Sequence, residues 1–147
     1  MRILFLIAMM FSFVFMQPSN AAVIDAYKME SVVEQTHAVY DIASDLMKAQ
    51  TLEEFRAIEK AHIEPLIKAR GELYPIYFSH DVLYLCTDYI DDVLELIDIT
   101  RDLKMGRRSK AEWLALQKGD TDRISLSVQG CTLALEYVKA LQDEKAP

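Results

Sequence analysis

Almost every long segment of this chain repeats its apolar residues three and four positions apart. That period stacks them on one face of an α-helix and does not fit the alternation of a half-buried strand. Helix breakers are few, with four glycines and, after Pro18, three prolines. No fixed-period repeat, low-complexity tract or long linker interrupts the pattern. Residues 22–147 therefore read as one all-α domain, a four-helix-bundle-like fold with a short extra helix.

The first helix is expected over residues 24–49, with Met29, Val32, Val33, Thr36, Val39, Tyr40, Ala43, Leu46 and Met47 facing inward. Thr51-Leu-Glu-Glu54 is a capping box, in which hydroxyl and carboxylate each serve an amide at the helix start. It opens a second helix that turns Phe55, Ile58, His62, Leu66 and Ala69 inward. Pro65 lacks an amide donor, which predicts a kink or break near Ile63. Ser79 caps a third helix that Gly106 ends. Ser109-Lys-Ala-Glu112 is a second capping box, opening a short helix around Trp113 and Leu116. Gly119-Asp120-Thr121 separates it from the last long helix. There Ile124, Val128, Cys131, Leu135 and Val138 form one apolar row, and Leu126, Leu133, Tyr137 and Leu141 another. Two rows predict a central place in the bundle. Gly130 allows a neighbouring backbone to approach closely, or is simply tolerated.

The first 21 residues set the compartment. Met1-Arg2 is a short positive start, residues 3–16 are apolar or small, and Ser19 and Ala21 precede a cleavage point after Ala21, with a cut after Ala22 as the alternative. That order is the pattern of a secretory signal peptide, and its apolar run is shorter than the roughly 18 residues of a spanning helix. A periplasmic or secreted protein is expected, with no stable membrane anchor after cleavage; an uncleaved anchor is the alternative. Losing residues 1–21 leaves 126 residues and takes the formal charge from −7 to −8. Such a field opposes nucleic acid or an anionic membrane face as the main partner, and is compatible with a basic protein, a cation or nothing specific.

Cys86 and Cys131 each lie within an apolar row. An oxidising compartment favours their disulfide; unpaired core thiols are the cytosolic alternative. The bond closes a loop of 45 positions, worth about 4 kcal/mol in chain-entropy terms. Cys86 lies 19 residues before Met105, whereas Cys131 lies 10 after Thr121. The Trp113 helix must therefore stack in line with the last helix or fold across the bundle end.

No catalytic set is assembled: nucleophile-elbow, His-Glu-x-x-His, phosphate-cradle, Cys-x-x-Cys and haem-attachment patterns are all missing from the sequence. The chain reads as non-enzymatic and without a cofactor. Glu34-x-x-His37 and Glu59-x-x-His62 match the spacing found in di-iron bundles. Glu34 points outward and His37 lies on a flank, leaving Glu59 and His62 as candidates for a metal- or small-ligand-binding alternative. His80 has no assigned role.

Asp81, Asp88, Asp91, Asp92, Glu95, Asp98 and Asp102 cluster on the third helix opposite Val82, Cys86, Ile90, Val93 and Ile97, with Tyr84 among them. Like charges on one face repel, so the strip is a solvated surface, a dock for a basic partner or a site for a divalent cation, although the glycine-turned loop of a calcium site is missing. Tyr74, Ile76, Tyr77 and Phe78 are either packing at the bundle end or the apolar centre of an interface. The candidate partner-binding residues are Tyr84, Asp88, Asp91, Asp92, Glu95 and Asp98, with Tyr74, Tyr77 and Phe78. Lys104, Arg107, Arg108 and Lys110 make a basic turn around Gly106, either a solvated loop or a contact for anionic envelope components.

Cys86-Thr-Asp-Tyr89-Ile90-Asp-Asp-Val93, with a second cysteine in a late helix, resembles the immunity proteins paired with type VI secretion peptidoglycan amidases. The resemblance spans Cys86 to Cys131. Asp91 stands where one branch of that group has glycine, and Gly130-Cys131-Thr132 lacks its proline. The resemblance implies a periplasmic bundle that occludes a toxin's active site and performs no catalysis itself. The functional expectation is an exported protein that binds a basic envelope protein or a secreted hydrolase, as an inhibitor or immunity protein. A structural or chaperone-like envelope protein is the remaining alternative.

Overall fold

The computed structural model describes residues 26–73 and 82–144. Among them every element is helical, and the elements form four rods. The first is α1 (Ala26–Lys48). The second joins α2 (Leu52–Ile58), a π-helical turn (Glu59–Ile63) and α3 (Glu64–Leu73). The third is α4 (Tyr84–Lys104) and the fourth α5 (Lys110–Asp143). The all-α bundle expected from the periodicity is the observed fold. The signal-peptide segment, Tyr74 to Phe78, Ser79, His80, Asp81 and the Met47 side chain lie outside the described residues.

Along α1 the expected stripe is buried at Met29, Val32, Val33, Val39 and Leu46. Thr36, buried among them, donates its hydroxyl to the Val32 carbonyl at 2.8 Å, so the polar atom keeps a partner inside the core. The Thr51 capping box forms at the start of α2: the Glu54 amide donates to Thr51 Oγ1 at 3.1 Å, and the Thr51 amide to Glu54 Oε2 at 3.3 Å.

Pro65 does not break the second rod. Its ring and missing amide disrupt the turn ahead of it, and the π-helical turn absorbs that defect, with the Glu64 amide bonding back to the Glu59 carbonyl. The wider turn shifts the register by one residue. Ile63 becomes the buried position and His62 is exposed, correcting the inward place that an unbroken 3.6-residue period gave to His62.

Gly106 ends α4 at φ +68°. Its amide donates to the Leu103 carbonyl at 3.0 Å and that of Arg107 to the Asp102 carbonyl at 2.8 Å, the paired closure of a Schellman motif. Ser109 and Glu112 then form the second capping box and open α5. The short helix expected around Trp113 is not separate: α5 runs unbroken for 34 residues, about 50 Å. Gly119-Asp120-Thr121 fails as a stop because each group finds a helical role. The Asp120 carboxylate bonds Arg123 one turn on, and Thr121 donates its hydroxyl to the Gln117 carbonyl at 2.8 Å. Burial of Trp113 and Ile124 anchors the helix on either side of this segment.

A continuous α5 also resolves the register of the cysteines. Cys86 lies 18 residues before the end of α4 and Cys131 lies 21 after the start of α5, so an antiparallel hairpin sets them level. They form a disulfide. Nearer the turn, Trp113 Nε1 donates to Thr100 Oγ1 at 3.3 Å, and that hydroxyl donates to the Leu96 carbonyl. The α4–α5 hairpin is thus held at both ends and forms the largest interhelical contact.

Centrality belongs to α4, which buries Cys86, Tyr89, Ile90, Val93, Leu96 and Ile97 between its neighbours. The second apolar row of α5, predicted to be covered, is not: Leu126 is 71% exposed, Leu133 67% and Tyr137 56%. Nor does a backbone press on Gly130. A Cβ there would meet only the Leu85 side chain, at an ordinary 3.7 Å.

Candidate partner-binding face

The acidic strip of α4 is largely neutralised from within, which the spacing of its acids did not reveal. Asp91 takes a two-pronged bond from Arg70 on α3, Nε to Oδ1 and a terminal nitrogen to Oδ2, both at 2.7 Å. Asp98 pairs with Arg101, which also holds Glu59 of the π-helical turn. Asp102 faces Arg107 at 2.8 Å and Arg108 at 3.4 Å. Glu95 and Asp92 meet Arg123 of α5 at 2.7 and 3.6 Å, and the same guanidinium binds Asp120. Arg70 and Arg123 lie 21 and 28 residues from their acids. Only packing of neighbouring rods brings them there.

Asp88 and Tyr84 stand apart from this network. Asp88 is exposed and has no ion pair among the described residues. Partial burial, then the charges of Asp92 and Asp91, hold its carboxyl above the usual value. Tyr84 presents about half of its surface to solvent. Of the nine residues named from the sequence, six are described, and they share the outward side of α4; Tyr74, Tyr77 and Phe78 lie outside the described residues.

Beside this face runs the uncovered row of α5. Leu85 of α4 packs at Gly130, between Leu126 and Leu133 in the row. Arg123, one turn before Leu126, reaches across to Glu95. These contacts reach α4 only at one edge of the row, while Leu126, Leu133 and Tyr137 point away from the bundle. Sequence reasoning missed it as a surface because an apolar row on a helix carries no mark of whether another rod covers it.

Of the two candidates for the metal-binding alternative, one is held by another bond. Glu59 is committed to Arg101, His62 is exposed, and no group of three His, Cys, Asp or Glu is placed to hold a metal ion among the described residues. His37 Nδ1 shares a 2.7 Å hydrogen bond with the Tyr89 hydroxyl. It lines a cleft of about 350 Å³ between α1 and α5, with Glu34, Glu136 and the Glu30–Lys139 pair around it. A second cleft, of about 280 Å³, is lined by Tyr40, Asp41, Thr100, Trp113 and Gln117.

No family model, curated protein or solved structure matches this chain. The site therefore has to be read from its own chemistry. Apolar side chains of this size left uncovered, next to carboxylates, make a surface suited to excluding water against another macromolecule. Among the described residues no helix is long and apolar enough to cross a membrane.

Proposed function

We propose that this chain is an exported, non-enzymatic protein that acts by binding another protein in the periplasm or beyond the cell. One observation carries the reading: Leu126, Leu133, Tyr137 and Leu141 form an exposed apolar row on the longest helix of a disulfide-stapled bundle. The signal-like residues 1–21 and the disulfide support export, since a bond between buried cysteines suits an oxidising compartment.

Occlusion of a secreted cell-wall hydrolase is the specific form that the resemblance to immunity proteins suggests. Cys86, Tyr89, Ile90 and Val93, which carry the resemblance, are all buried. They speak to architecture, and the docking surface is drawn from other positions.

The test is recovery of the tagged full-length chain from an osmotic-shock fraction, in low and high salt. Support consists of a chain starting at Ala22 or Val23, bearing its disulfide, with one stoichiometric protein partner. Retention in the cytoplasm, or recovery with no stoichiometric partner in either salt, rejects the reading.

A further inference from the structure

The two apolar rows of α5 have the same form. The inner row, Ile124, Val128, Cys131, Leu135 and Val138, advances by four, three, four and three residues, the spacing of a helix–helix seam. Adding two to each number gives Leu126, Gly130, Leu133, Tyr137 and Ala140, the same spacing again. Two residues turn a helix by about 200°, so the second row lies almost opposite the first. The inner row is filled by the bundle; Leu126, Leu133, Tyr137 and Ala140 of the outer row are exposed. At its middle, Leu126, Gln129, Gly130 and Leu133 have the i, i+3, i+4, i+7 arrangement that receives one side chain of a facing helix.

The margin states what kind of helix fits. Asp122, Gln129, Glu136 and Asp143 recur every seven residues along one edge of the row. The three acids are exposed and have no ion pair among the described residues. Antiparallel pairing with a second copy sets this column against itself. Parallel pairing sets it against Ser127, Ala134 and Leu141. Neither gives a carboxylate a cation, and each copy brings a net charge of −7.

We propose that the outer row of α5 is a docking seam for an amphipathic helix of a different protein, one carrying Lys or Arg at the positions facing Asp122, Glu136 and Asp143. The inference rests on the protein-binding reading and names the partner's chemistry. Its apolar residues fill the row around Gly130, and its cations answer the acidic column, which sets direction and excludes self-association.

The probe is a synthetic helical peptide with leucine at the seam positions and lysine at the flanking ones, followed by fluorescence anisotropy against the full chain with its disulfide intact. A glutamate-flanked peptide is the control. The expected result is saturable one-to-one binding of the lysine peptide that weakens with salt, at least about tenfold weaker for Leu133→Asp and for Glu136→Lys. The glutamate peptide should not bind, and sedimentation should find the protein alone monomeric. Circular dichroism confirms folding, since both substituted positions face solvent.

Three outcomes overturn the inference: no binding of the lysine peptide, binding that Leu133→Asp leaves unchanged, or a dimer that Leu133→Asp dissolves. The last makes a second copy the occupant. The two readings fail separately. A stoichiometric partner that still binds Leu133→Asp keeps the protein-binding function and removes this seam, whereas absence of any partner removes the function itself.

Discussion

The Tyr89 hydroxyl, at the end of a ring buried in the core, shares a 2.7 Å hydrogen bond with Nδ1 of His37, whose own residue is exposed. The partners are unequal. With Tyr89→Phe the histidine turns to water, and the loss should stay near 1 kcal/mol. With His37→Ala the phenol loses its side-chain partner inside the bundle, at about 1–3 kcal/mol. Urea denaturation of both variants checks the order; an equal or reversed loss means water reaches the hydroxyl freely.

The same phenol makes the fold sensitive to alkali. Burial, then Tyr40 and Asp41, pushes its pKa up to about 12. An unfolded tyrosine ionises near 10. The stabilisation is therefore complete below pH 10 and is lost as pH rises from about 10 to 12. Tyr89→Phe should flatten that decline, read by thermal melts across the range. A decline of the same steepness in the variant assigns it to other groups.

Asp120 should act in the same direction, but at the acid end of the range. Its carboxylate is buried and bonded to Arg123 through Oδ1, while Oδ2 has no hydrogen-bond partner. Burial raises its pKa, opposed by Arg123 and aided by Glu95 and Asp92. A raised carboxyl pKa means that the charged form disfavours the fold, so this group's contribution improves as pH falls from neutral through its folded pKa. Asp120→Asn keeps an acceptor for Arg123 and removes the buried charge. It should raise the melting temperature at neutral pH and lose that advantage in acid. A lower melting temperature at neutral pH shows that the Arg123 bond outweighs burial.

Reducing the Cys86–Cys131 bond removes the constraint on a loop of 45 positions. Stability should fall by about 4 kcal/mol in the chain-entropy account. Denaturation with and without reductant measures it, and helicity at zero denaturant shows whether the fold survives. A loss under about 1 kcal/mol means that the reduced unfolded chain is already compact over this loop.

Gly106 and Gly119 should respond oppositely to alanine. Nothing lies within 4 Å of a Cβ built at either site, so backbone conformation alone decides. At Gly106, φ is +68° and alanine should cost about 1–2 kcal/mol. Gly119 lies within α5, and alanine there should stabilise by about 1 kcal/mol. Paired chemical denaturation curves test the signs.

Local chemistry made much of this legible in the chain itself. Thr51-x-x-Glu54 and Ser109-x-x-Glu112 close rings of four residues, Gly106 needs only its own φ, and the stripe of α1 follows from the helical period. Where reading failed, the deciding interaction was distant or depended on what lay alongside. His62 and Ile63 exchanged places because a π-helical turn added a residue ahead of Pro65, and Gly119-Asp120-Thr121 stayed helical because Arg123 and the burial of Trp113 and Ile124 hold it so.

Helical content, the capping boxes at Thr51 and Ser109, the stop at Gly106 and the two seams of α5 were therefore determined by sequence alone, because each depends on residues within one or two turns of one another. Tertiary structure alone decided that Arg70 and Arg123 would neutralise Asp91, Asp92 and Glu95, and that the seam through Leu133 would remain open. Spacing along a helix fixes which side chains share a face, whereas the partner of that face is set by rods tens of residues away.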